Sequence, residues 1–287
     1  MKKTNYKYLF FSFFVFSLLK ITASSFYLND SFNVLYFTKY SSFIEFKQKG
    51  DSVYFTYRNK REVGYPTEAA TKSNFLSVTY SKYYTSNLVA KAEYFTRNKK
   101  GKLKKHKVRT FYDKQITSEG IFYEDLMQKT CFFQNLNTGS KSSLEYSYDG
   151  TDPVIVPKMM FNFDIPAAEV FYEIIIPNNL QVKFSFFGDS SGINHKIIQK
   201  DKFVIHQYTS FNRDAIVREE ESESMYYYVP HLYIIPVSYT ANNKSVNLCG
   251  SIENLAKYYS KHINVVKDEN NPAIDKLTDS IISGITD

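Results

Sequence analysis

Hydrophobic and polar positions alternate with a period of two along much of this chain. Within Gly120–Pro177, Leu144, Tyr146 and Tyr148 point one way and Glu145 and Ser147 the other. Val170, Tyr172, Ile174 and Ile176 repeat the pattern, with Glu173 on the opposite face. Successive side chains of a strand face opposite sides, so the alternation predicts half-buried strands of an antiparallel sheet. Similar runs occupy Asn33–Tyr40, Phe43–Phe46, Ser52–Tyr57, Asn74–Tyr80, Leu88–Thr96, Gln181–Phe187, Lys196–Gln199, Lys202–Ser210 and His231–Tyr239. Turn residues separate them at Asn98–Gly101, Asn137–Ser140, Asp149–Asp152 and Gly188–Asn194, and Gly64 and Pro66 make Asn59–Ser73 read as a loop. Roughly fifteen short strands with no fixed-period repeat predict a large antiparallel β-sandwich, mainly β in class.

The period changes at both ends. Ser251 is placed to cap a helix whose Ile252, Leu255, Tyr259 and Ile263 recur at three- and four-residue spacing. Asn271 and Pro272 suggest a second helix start, with Ile274, Leu277 and Ile281 as its stripe and Gly284 as its stop. At the other end, Lys2, Lys3 and Lys7 precede the apolar run Tyr8–Leu19, and Thr22, Ala23 and Ser24 supply small residues. That is the form of a secretory signal, too short to span a hydrocarbon core of about 30 Å. The expected organisation is a signal peptide over 1–24, a β-sandwich over 25–248 and a helical segment over 249–287. Export to the periplasm, the cell envelope or the medium follows from the signal, with no transmembrane span once it is cleaved.

Composition changes this picture only in part. Hydrophobic content of 43% with 23% charged residues argues against disorder, and 25 Tyr with 25 Phe and no Trp suit strands. The formal charge of +7 falls to +3 when residues 1–24, with Lys2, Lys3, Lys7 and Lys20 and no acid, are removed. A global case for nucleic acid fails. Arg97–Arg109 (RNKKGKLKKHKVR) is the most basic stretch. It reads as a lysine-rich hairpin whose charges discourage edge pairing, or as a contact for phosphates or an acidic polymer.

Candidate chemistry is sparse. Cys249 precedes a predicted helix N-terminus, where a thiolate is favoured. Its one downstream histidine, His262, lies along the same helix and cannot reach back to it. Whether Cys249 and Cys131 form a disulfide is open. His106, His195, His206 and His231 lack zinc-ligand spacing. Glu124 with Asp125, or Asp149 with Asp152, make poor carboxylate pairs, because strand neighbours face opposite ways and the second pair sits in a turn. The acidic run Glu219–Ser224 lacks the spaced oxygens and turn Gly of a calcium loop. No catalytic, cofactor-binding or metal-binding residue is assigned.

Four stretches carry a resemblance: SEGIFYEDLMQ (Ser118–Gln128), GSKSSLEYSY (Gly139–Tyr148), FNFDIPAAEVFYEIIIP (Phe161–Pro177) and SVNLCGSIENLAKYYSKHI (Ser245–Ile263). Together they resemble the N-terminal β-sandwich, a domain of unknown function, that precedes a transglutaminase-like core in exported proteins of Gram-negative bacteria. In that family a Cys-His-Asp core follows the linker helices, and this sequence stops at Asp287, near where such a core would open. The resemblance implies a non-catalytic accessory or binding module without the core. Its partner would be a transglutaminase-like catalytic domain or an envelope peptide or glycan. Two further expectations are a remnant acting with a separately encoded core, and a stand-alone binding sandwich.

Overall fold

The computed structural model describes residues 33–117, 125–216 and 224–268, together with Pro272, Lys276, Asp279 and Ser283. The signal-like segment 1–24, Glu124 and the acidic positions 219–223 lie outside the described residues.

Among the described residues, fifteen strands form three sheets. The largest runs in the order β12 (Ile193–Gln199), β13 (Phe203–Arg213), β10 (Ala167–Pro177), β1 (Tyr36–Lys49), β2 (Ser52–Tyr65), β8 (Ser140–Gly150), β4 (Thr85–Arg97) and β5 (Leu103–Lys107). In the second, β14 (His231–Ala241) pairs with β11 (Leu180–Phe187), with the short β9 (Met159–Met160) and with β15 (Lys244–Asn247). The third joins β3 (Phe75–Ser81), β7 (Leu126–Phe132) and β6 (Tyr112–Gln115) in the order β3-β7-β6.

The core lies on one face of the large sheet. Ile44, Phe46, Phe55, Tyr57, Leu144, Tyr146, Tyr172 and Ile174 are buried there, each contributing roughly 1.5–3 kcal/mol through apolar burial. The second sheet covers one part of that face: Phe161 meets Tyr172 edge-on at 5.1 Å and Phe184 meets Tyr208 at 6.2 Å. The third sheet covers another part, where Phe133 packs against Tyr94 at 5.6 Å. The predicted alternation of β8 and β10 holds, with Leu144 and Tyr146 buried on one strand and Val170, Tyr172, Ile174 and Ile176 on the other.

The sheet is not wholly antiparallel. β1 pairs in parallel with β10, from Phe37 opposite Ala167 to Glu45 opposite Ile175, while its other edge runs antiparallel to β2. β1 is also one strand where the sequence suggested two. Ser41 and Ser42, which read as a break, are buried, and the Ser42 hydroxyl lies 3.2 Å from the Tyr57 hydroxyl. Nor is Asn59–Ser73 a loop throughout, because β2 continues to Tyr65. Its inward polar residues partner one another: Asn59 donates to the Ser41 carbonyl (3.2 Å) and to Ser42 Oγ (2.8 Å). Arg61 donates to Asn59 Oδ1 (3.0 Å), the Ser77 carbonyl (2.8 Å) and the Tyr146 hydroxyl (3.3 Å). Paired this way, buried polar groups avoid the cost of desolvation without a partner. A short helix α1 (Glu68–Thr71) follows, capped by the Thr67 hydroxyl at the Ala70 N–H.

Ser251 does cap helix α2 (Ile252–Asp268), accepting from the Asn254 N–H at 3.2 Å. The packed face differs from the predicted stripe. Ile252 is 83% exposed, and Asn254, Leu255, Tyr258 and Tyr259 are the half-buried positions. The side chains of His262 and Ile263 lie outside the described residues. Of the expected second helix, Pro272, Lys276, Asp279 and Ser283 are helical, and its stripe Ile274, Leu277 and Ile281 lies outside the description, as does Gly284. Among the described residues, no helix is long and apolar enough to cross a membrane.

Candidate ligand-binding surface

On β14, Leu232 and Ile234 turn into the core, and Tyr233 and Ile235 are placed on the other face of the small sheet. Register brings β11 alongside, with Ser185 opposite Tyr233 and Phe187 opposite His231. A 3-10 turn over Met225–Tyr227 then sets Tyr226 and Tyr227 beside them. The result is an open groove of about 470 Å³ walled mainly by rings. Phe187 is 47% exposed, Tyr226 44% and Tyr227 76%.

The groove floor is a set of rings in mutual contact. The His231 ring lies parallel to Phe187 at 5.3 Å and edge-on to Tyr226 and Tyr233 at 5.9 and 5.2 Å. Its Nδ1 is 2.7 Å from the Val229 carbonyl. A carbonyl only accepts, so the proton sits on Nδ1. Lys158 Nζ stands 3.5 Å from the centre of the Tyr226 ring and 5.3 Å from that of Tyr233, a cation–π pair at the groove wall. Gly188 closes the β11 end. Its φ is +75°, and a Cβ there would meet the Pro230 backbone at 3.0 Å, so glycine alone fits the approach. Among the described residues, no carboxylate or thiol lines this groove. Its rings, with Lys158 against two of them, offer flat apolar faces, which suit the CH face of a sugar or an apolar peptide side chain.

Of the described residues weighed from sequence, His231 and Ser224, the last of the acidic run, line this groove, and the others lie elsewhere. Cys131 and Cys249 are both free thiols, so no disulfide joins them. Burial pushes the Cys131 thiol up to about 11. Burial, helped by the negative charge of Asp152, raises Cys249 as well, and its Sγ donates to the Pro236 carbonyl at 2.8 Å. The expected helix-terminus activation is outweighed, and the thiol is favoured over the thiolate. Asp149 accepts from Thr56 (3.0 Å) and Asn87 (2.9 Å), while the buried Asp152 accepts from the Val154 N–H (2.9 Å) and the Tyr258 hydroxyl (3.0 Å). Asp125 accepts from the Ser81 hydroxyl. Each of these carboxylates is engaged in holding the fold.

His195 on β12 and His206 on β13 do come together, with ring nitrogens 3.1 Å apart, which their spacing in sequence did not suggest. His106 stacks on Tyr94 at 4.7 Å. Among the described residues, no group of three or more His, Cys, Asp or Glu could hold a metal ion. Sequence reading missed the aromatic groove because its walls come from β11, β14 and the turn between β13 and β14. The one available signal was the run Tyr226–Tyr228, three adjacent rings that a single apolar face cannot bury.

The fold is shared with a solved structure. A proposed protease from Parabacteroides distasonis matches at a TM-score of 0.56 and 18% identity, over 70% of this chain and 40% of that one. An M1 zinc metallopeptidase from Deinococcus radiodurans matches at a TM-score of 0.35 and 11% identity, over 75% of this chain and 47% of that one, too slight to bear on the fold. The chain thus spans less than half the length of these solved structures. No curated protein matches it. Residues 51–215, more than half of the sequence and all the strands from β2 to β13, match the family model of DUF3857, described as a domain of unknown function with a solved structure, and the chain belongs to that family.

Proposed function

We propose that this chain is a non-catalytic accessory module of an exported transglutaminase-like protein, and that its aromatic groove holds an envelope glycan or peptide. The observation that carries the reading is the cluster of Phe187, Tyr226 and Tyr227, three large rings left open to solvent around a groove of about 470 Å³. Folding buries such rings where it can, and a contiguous exposed set marks a contact surface. The protonated state of Cys249 and the structural engagement of Asp149 and Asp152 agree with a role other than chemistry. Helix α2, tied to the sandwich through Tyr258 and Asp152, would orient a catalytic domain that follows it.

Co-sedimentation with purified peptidoglycan tests the reading, with soluble muropeptides as competitors. The chain should bind, and Phe187→Ala with Tyr227→Ala should weaken binding about fivefold or more, the loss expected of central aromatic contacts. Unchanged binding in the double variant, or none in the parent chain, would remove the groove from the account. The chain should also release no amine from amide substrates; a thiol-sensitive activity lost in Cys249→Ala would overturn the non-catalytic assignment.

A further inference from the structure

We propose that the outer face of the large sheet carries a second site, which binds an acidic polysaccharide through its carboxylates. The inference does not rest on the aromatic groove, with which it shares no residue. It comes from where the fold places the basic stretch Arg97–Arg109.

Cross-strand register on β2, β8 and β4 sets Lys60, Glu145 and Lys91 in one row. The next row, on β8, β4 and β5, is Ser143, Glu93 and Lys107. Neighbouring strands lie about 4.8 Å apart, so Lys60 and Lys91 stand roughly 10 Å from each other on one face. After β5 the Val108 N–H donates to the Ala92 carbonyl at 2.9 Å, which carries Arg109 along the β4 edge. Lys60, Lys91, Lys105, Lys107 and Arg109 thereby surround one cavity of about 650 Å³. Lys107, Val108 and Arg109 are also a wall of a second cavity, of about 420 Å³. On that second side stand Tyr112 and Phe132, 58% and 47% exposed, their rings in edge contact at 5.7 Å. This platform beside the lysines is not legible in the sequence, because Phe132 arrives from β7.

The charges are unevenly matched. Lys60 engages Glu62, and Lys105 engages Glu93 at 2.6 Å. Among the described residues, no carboxylate forms an ion pair with Lys91, Lys107 or Arg109. Three exposed cations at the mouths of two adjoining cavities attract an anion into a concave space.

The remaining groups decide which anion. Glu93 and Glu145 sit among the cations and repel any anionic group placed over them, phosphate or carboxylate, so the ligand must bring neutral donors to these two positions. The same carboxylates accept hydrogen bonds from hydroxyl groups, which a sugar presents on every ring. Tyr112 and Phe132 offer faces for the CH side of a pyranose next to the Arg109 guanidinium. A membrane surface is flat and would leave the cavities unfilled. Alternating charge, hydroxyl and apolar face is the chemistry of a uronic-acid polymer.

The test titrates the full chain with an oligogalacturonate and with its neutral counterpart, an oligogalactan of equal length, using single-stranded DNA as competitor. The acidic oligomer should bind and the neutral one at least about tenfold more weakly, with the difference shrinking between about 50 and about 300 mM salt as exposed charges are screened. Lys107→Gln with Arg109→Gln should weaken oligogalacturonate binding about tenfold, the sum expected of two exposed charge contacts. Tyr112→Ala should weaken both oligomers, and Tyr227→Ala should affect neither. All these side chains are exposed, so unfolding curves matching the parent chain will confirm intact folds. Equal binding of acidic and neutral oligomers, no effect of the double substitution, or displacement by DNA at lower concentration than by free oligogalacturonate would each overturn the proposal.

Discussion

At the scale of single residues, the inner face of the large sheet keeps its polar groups in pairs. Among the described residues, Arg61 has no carboxylate partner. It is held by Asn59, the Ser77 carbonyl and the Tyr146 hydroxyl, with its guanidinium 5.6 Å from the centre of the Tyr40 ring and 5.5 Å from that of Tyr146. Hydrogen bonds and ring faces stand in for an anion. His195 and His206 are a second such pair and make stability depend on pH. Burial lowers the proton affinity of both, and for His206 the proximity of His195 adds to it. The unfolded chain, titrating near 6.5, then binds more protons than the folded one. Their contribution is complete above that value and is lost as pH falls through the lower folded values. Thermal unfolding should therefore shift downward from about pH 7 to about pH 5, before most carboxylates titrate. His195→Gln with His206→Gln should flatten that slope, and an unchanged slope would show that the pair does not titrate as described.

At the scale of elements, glycines test where packing outweighs backbone strain. Gly150 ends β8 directly over the buried Phe55, and a Cβ there would fall 2.1 Å from the ring. Gly50, in the two-residue turn between β1 and β2, has φ +59° and open space around it. Gly150→Ala should cost about 2–3 kcal/mol through overpacking of the core. Gly50→Ala should cost only about 1 kcal/mol, the left-handed strain alone. Denaturant unfolding compares them, and equal losses would mean that Phe55 can move aside. The elements themselves were unequally readable in the sequence. β8 and β10 were legible because their buried residues are large and strictly alternate. The second half of β2 was not, since Asn59, Lys60, Arg61 and Glu62 look solvated until their partners on β1, β3 and β8 are in place. The turn at Asn242 and Asn243, with φ of 48° and 59°, went unread although two left-handed Asn residues suit a tight hairpin. Of the two proposed surfaces, the basic stretch Arg97–Arg109 was legible in the sequence, whereas the aromatic groove and the rings beside the lysines were not, because they are assembled from strands distant in sequence.

At the scale of the whole molecule, α2 is joined to the sandwich at a small cluster. Tyr258 and Tyr259 lie against Tyr83, Tyr84 and Asp152 around a pocket of about 180 Å³. Burial and the neighbouring carboxylate raise the Tyr258 hydroxyl well above its ordinary range, which keeps it a donor to Asp152. Tyr258→Phe should weaken the attachment by about 1.5–3 kcal/mol, as for a hydrogen bond to a charged group. Amide exchange should then accelerate in Glu253–Ser260 and stay unchanged in β8. Equal acceleration in both would mean that helix and sheet open as one unit.

The position of β1 has a consequence for how the polypeptide is made. Its neighbours in the sheet are β2, which follows at once, and β10, whose Glu169 meets Lys39 across 130 residues of sequence. Until the ribosome has passed Pro177, β1 has one bare edge and the sheet cannot close. Contacts so distant along the chain slow folding, and the waiting edge is a template for pairing with other chains. A nascent chain of this design therefore carries a bare strand edge for as long as the segment from Ser52 to Pro177 is being made.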